Sequence, residues 1–156
     1  MGERLGGFIY GTIVALSVLV AGARAYSHEP GHLAALVAVT SAAFWLAHVY
    51  AHALARAVAH EEHLSFAELR DIARHEAAII EATAPSIAAL LLGALGVLSS
   101  RGAIWLALVL GLVVLAMQGV LFARIERLGT LVTIGVVLGN LSLGLVLVAL
   151  KLLVTH

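Results

Sequence analysis

His48, His52, Arg56 and His60 recur every four residues, so on an α-helix they stack along one face with a slow drift. Trp45 falls on the same side, three residues before His48. An imidazole titrates near pH ~6.5 and can relay a proton, sense pH or ligate a metal. A second stripe, Glu68, Asp71 and His75, follows at spacings of three and four, and Glu81 lies further on. Five of the eight histidines fall between His48 and His75, and six of the nine acids between Glu61 and Glu81. Function is therefore expected in this part of the chain.

Several chemistries fit the pattern. The His48-x-x-x-His52 pair has a spacing that can chelate one metal from one helix face. It also suits a proton or ion path, or two interfacial imidazoles bonded to a neighbouring helix's backbone or to water. His60-Glu61-Glu62-His63 brings its second histidine one residue too early for H-E-x-x-H, and His75-Glu76 has Ile79 in the fifth position, so a zinc-protease reading is rejected. The chain has no His-His pair of the kind membrane di-iron hydroxylases use, and no phosphate-binding glycine loop.

The elements that must position these groups are apolar. Of 156 residues, 62% are hydrophobic and 12% charged, far from the roughly 45–50% and about 25% of soluble domains. Nine Lys+Arg balance nine Asp+Glu, so nucleic acid is not an expected partner. The absence of cysteine excludes disulfides, thiolate metal sites and thiol nucleophiles. The expected fold is all-α, a single polytopic transmembrane bundle over 1–156, in contact with the lipid bilayer. A crossing needs ~20 apolar residues, and five stretches qualify: 5–23, 33–55, 77–100, 102–123 and 128–150. The first also has signal-peptide features, Arg4 before it and Ala21-Gly22-Ala23 behind it, but is read as a span. Backbone groups in lipid must be satisfied within a segment, so each stretch should be helical.

Six Arg lie on the side shared by the N-terminus, the 56–76 segment and the 124–127 turn, against three Lys/Arg on the other. The positive-inside bias then places the N-terminus inside. Arginine and alanine usage points to a GC-rich bacterium, and hence to its inner membrane. Ser65 and Glu68 form a capping-box pattern, with Leu64 and Leu69 as a hydrophobic staple. An inside helix over 66–76 should follow, running without a break into the third span and kinking at Pro85. Glu81, within that span, is a functional residue by default or the partner of Arg4, Arg70 or Arg74. Gln118 and Asn140 read as interhelical glue, and Gly7-x-x-x-Gly11 and Gly135-x-x-x-Gly139 as close helix contacts, including contacts between subunits. His28, Glu29 and His32 fall in an outer loop that suits solvation or a cation entrance.

Arg4-Leu5-Gly6-Gly7-Phe8-Ile9-Tyr10-Gly11 resembles the Arg-x-x-x-Phe-Ser-Asp-Gly opening of the endolysosomal-type potassium and proton channels, with Ile9 and Tyr10 in place of Ser and Asp. Phe44-Trp45-Leu46-Ala47-His48 is similar to the Phe-Trp-x-x-His run of that family's second span. The family has six spans per unit against the five counted here. The resemblance covers about the first 60 residues and implies an oligomeric pore lined by the first span, with Ile9, Ile13 and Leu16 at its constriction.

The expected function is a homo-oligomeric pathway for protons or small cations, using His48, His52, Asp71, His75 and Glu81. One alternative is a membrane-embedded metal protein, enzymatic or structural, with His48, His52, His75 and Glu81 holding Zn or non-haem Fe, or histidines holding a haem. Another is an interaction protein without chemistry, whose polar cluster only fixes packing. No catalytic residue can be assigned.

Overall fold

The computed structural model describes residues 2–60 and 65–154, and these are almost entirely helical. The elements are α1 (Gly2–Ala25), α2 (Pro30–His60), α3 (Phe66–Glu76), α4 (Ala78–Glu81), α5 (Ala84–Ala94), α6 (Ser100–Ile125) and α7 (Thr130–Val154). Three of them, α1, α2 and α6, are long and apolar enough to cross a membrane. The α3–α5 segment makes a fourth crossing if its bent pieces count as one, and α7 is a further apolar helix.

Helices α1, α2, α5 and α6 form a ring of neighbours: α1 touches α2 and α6, and α5 touches the same two. Helix α7 lies on α6 and α1, α4 is wedged against α1 and α2, and α3 lies against α2. The core is aliphatic. Leu16 and Leu19 of α1, Leu33 and Val37 of α2, Leu90 of α5 and Leu115 of α6 are fully buried within it. Each such side chain contributes about 1.5–3 kcal/mol when the alternative is water. In lipid the gain comes instead from close packing, and small residues provide it. A Cβ on Gly111 would sit 2.7 Å from Leu16, and one on Gly93 would sit 2.4 Å from Ala103.

The third apolar stretch bends at Pro85 as expected but departs from expectation at its start and at its end. The helix that starts at Phe66 is interrupted at Ala77 and again at Ala82–Thr83, and the pieces are bent by 52°. Pro85 explains the second break. It has no N–H for the Glu81 carbonyl and its ring crowds that carbonyl, so the chain turns before it and α5 starts with Pro85 in its first turn. The Thr83 N–H bonds the Ile80 carbonyl instead of continuing the α-helical ladder. The stretch also ends at Ala94, not near Ser100. Gly96 adopts φ 75°, and the Val97 and Gly96 N–H groups bond the Leu92 and Gly93 carbonyls, a Schellman stop. Ser99 then caps α6, its hydroxyl accepting from the Gly102 N–H at 3.2 Å. The link between the two apolar stretches is therefore 95–99.

At the other end, Gly11 lets α1 lie directly on α4. A Cβ there would stand 2.3 Å from the Ile79 carbonyl oxygen and 2.8 Å from the Ile79 Cα. The Gly7/Gly11 pair thus serves contact inside the chain. A Cβ on Gly135 or Gly139, by contrast, would meet nothing within 4 Å among the described residues. Gly11→Ala should therefore cost about 1–3 kcal/mol through backbone overpacking, while Gly139→Ala should be neutral or gain up to about 1 kcal/mol in helix propensity. Thermal unfolding in detergent measures both, and equal effects at the two glycines would refute the α1–α4 contact.

Candidate functional site

The capping box at the start of α3 is present: the Glu68 N–H donates to Ser65 Oγ at 3.2 Å, and the Ser65 N–H donates to Glu68 Oε2 at 2.7 Å. The Leu64 staple and the 60–63 His/Glu run involve residues 61–64, outside the described residues. Ile72 is buried, which turns the remainder of α3 toward α2. Trp45 fixes the two helices, its Nε1–H donating to the Ala73 carbonyl at 2.9 Å.

Between them lies a crevice of about 570 Å³. Helix α1 contributes Gly6, Gly7 and Tyr10, α2 contributes His48, His52 and Arg56, and α3 contributes Asp71, Ile72, His75 and Glu76. The two glycines leave room that side chains would fill. Helix α2 has 31 residues, about 46 Å at 1.5 Å per residue, against a hydrocarbon core of ~30 Å. Helix α2 is therefore longer than a crossing of such a core requires.

The hydrogen bonds of the two histidines fix their tautomers. His48 Nδ1 lies 2.9 Å from the Phe44 carbonyl oxygen. A carbonyl only accepts, so Nδ1 carries the hydrogen and the neutral ring keeps its lone pair on Nε2. His52 Nδ1 lies 3.2 Å from the His48 carbonyl and 3.2 Å from Glu76 Oε1, two acceptors, with the same consequence. The Glu76 side chain is only 14% exposed, so its carboxylate gains from that N–H, most of all when the imidazole is protonated. Tyr10 packs on His48 with ring centroids 4.8 Å apart.

Glu81 is placed differently from the expectation that it shares a site with these histidines. Arg4 donates to Glu81 Oε2 at 3.1 Å and Oε1 at 3.3 Å. The pair lines a neighbouring hollow of about 500 Å³ with Arg74. Asp71 and His75 border both hollows. Among the described residues no three His, Asp or Glu side chains gather closely enough to hold a metal. His48, His52, His75 and Glu81 are therefore not assembled as a ligand set, and Glu81 lies instead against Arg4 of α1.

Sequence reasoning passed over Glu76, whose carboxylate is in contact with His52. Its signal was its place four residues after Ile72, on the stripe that faces α2. Of the three residues expected at a constriction along α1, burial differs from one to the next. Leu16 is fully buried in the core, Ile13 is partly buried against it and Ile9 is half-buried, so Leu16 offers no surface to a pore between subunits. Deeper than the crevice, Gln118 donates to Thr12 Oγ1 at 3.2 Å, and Thr12 donates to the Phe8 carbonyl. At the opposite end Glu29 pairs with His32 at 2.9 Å, on the surface.

No protein-family model matches the chain, and neither the curated proteins nor the solved structures contain a match. Trp45→Phe keeps an aromatic ring but removes the bond to Ala73, worth about 0.5–1.5 kcal/mol. Amide hydrogen exchange over 66–76 should then speed up by roughly twofold to tenfold, and unchanged protection would show that Trp45 does not hold α3 on α2.

Proposed function

We propose that this chain is a multi-pass bacterial inner-membrane protein, N-terminus inside and with five crossings, that assembles as a homo-oligomer and conducts protons or small cations. The crevice is its cytoplasmic vestibule. The observation that carries this reading is the contact of His52 Nδ1 with Glu76 Oε1, a titratable pair in a water-accessible hollow at the expected inner membrane surface. A carboxylate that is only 14% exposed and held against an imidazole gives a proton entering from solution a charged partner.

In this mechanism Asp71 and His75, at the rim shared by the two hollows, exchange protons with the inner solution. His52 accepts a proton at Nε2 while its Nδ1–H stays on Glu76, so the new positive charge is met by a carboxylate already in place. His48 sits one turn deeper, with Nδ1 held by Phe44, and is the next acceptor. Arg4 holds Glu81 at the end of the α4 segment and orients it. The core beyond is closed by Leu16, Leu19 and Leu90, which favours a route between copies of the chain. The open faces of Gly135 and Gly139 on α7 support such assembly. The likeness of 4–11 and 44–48 to the endolysosomal-type channels points the same way.

Purified protein in liposomes with an entrapped pH dye tests the reading. Wild-type protein should dissipate an imposed proton gradient, and His48→Ala with His52→Ala should slow this on the order of 10²-fold, as loss of a proton-transfer group does. Glu76→Gln should slow it less. Wild-type vesicles as tight as empty ones would end the transport reading, and full flux in the double variant would remove the relay.

A further inference from the structure

We propose that His48 and His52 form a two-histidine chelate for a divalent transition-metal ion such as Zn²⁺, entering the crevice from solution and blocking its proton chemistry. The blocking part rests on the proposed function; the binding part does not.

A helix places side chains four apart on one face, the arrangement in which two imidazoles grasp one ion. Metal-ligating histidines almost always donate their other ring N–H to a carbonyl or carboxylate. Both rings already meet that condition: His48 Nδ1 on the Phe44 carbonyl at 2.9 Å, and His52 Nδ1 on the His48 carbonyl and on Glu76 Oε1, each at 3.2 Å. The bonds that fix the tautomers leave both Nε2 lone pairs as donor atoms, with no tautomer change needed. Both residues line the same hollow, so an ion can arrive with waters that complete its coordination. Glu76 holds the His52 ring by its Nδ1–H and offsets the ion's charge, with Asp71 on the same wall; Arg56, also on the wall, opposes it. Two protein ligands make this a reversible, modest-affinity site, distinct from the three-ligand cluster that the described residues lack.

An ion held on both Nε2 atoms occupies the atoms that accept protons, so conduction stops while it is bound. Calorimetric titration of tag-free protein in detergent with Zn²⁺ should show one site at near-neutral pH. His48→Ala and His52→Ala should each weaken it at least about tenfold by removing half the chelate, and Glu76→Gln should weaken it about 10–100-fold as the partner of a ligand. His28→Ala with His32→Ala, and His60→Ala with His63→Ala, should leave it intact. Affinity unchanged in His48→Ala and His52→Ala, or no binding at all, would overturn the proposal. In the liposome assay Zn²⁺ should inhibit wild-type flux reversibly by chelator. Zinc bound as predicted by vesicles that conduct nothing would leave the metal site standing and the transport reading refuted, whereas flux that persists with the site saturated would overturn the block.

Discussion

Where Gly11 crosses Ile79, two helix backbones touch with no side chain between them. Much of the site geometry follows from that approach. It brings the start of α1 against α4, so Arg4 reaches Glu81, and it brings Gly6, Gly7 and Tyr10 against the histidine face of α2. The same contact depends on the broken form of the third apolar segment, because α4 is a short piece between two interruptions rather than part of a straight rod. Helix packing in a membrane has little hydrophobic drive, so such close approach by small residues carries much of the cohesion.

The charges at this end are sorted rather than pooled. Arg4 and Glu81 satisfy one another in one hollow, while His52 and Glu76 do so in the next. Both members of the first pair are about half exposed, and such pairs contribute little to stability, typically about 0.2–1 kcal/mol. The pair lies in the hollow beside the histidine crevice, which Asp71 and His75 also border. Glu76 is far less exposed, and a carboxylate removed from water in this way needs its donor. Gln118 shows the cost of incomplete sorting. Its Nε2–H is matched by Thr12, while its buried Oε1 has no hydrogen-bond partner among the described residues.

Length and composition made the all-α, membrane-suited character legible, because 19 uncharged residues from Leu5 to Ala23 have few other uses. The capping box at Ser65 was legible because it is local chemistry. The stop at Gly96 was not: Leu95, Val97 and Leu98 are as apolar as the helix they terminate, and only the positive φ of Gly96 marks the turn. In the site, four-residue periodicity placed His48 and His52 on one face, and the structure brings Asp71 and His75 to the same hollow. The partner of Glu81 was not readable, since Arg4, Arg70 and Arg74 were equal candidates by sequence and the choice depends on a crossing 77 residues apart in the chain. Glu76 lies one turn after Ile72, and its contact with His52 follows from the burial of Ile72 against the bundle, which four-residue spacing alone does not reveal.

Leu16 touches more than its near neighbours. A methyl at Gly111 of α6 would collide with it, and one at Gly144 of α7 would come within 3.5 Å of its Cδ1. Residues contributed by the first helix are thus enclosed by the last one described. The chain is made from its N-terminus, so Leu16 acquires this cover only after the residues of α7 have been synthesised. Closure of the bundle is therefore a late event, and a chain cut before α7 would leave an open seam along α1 and α6.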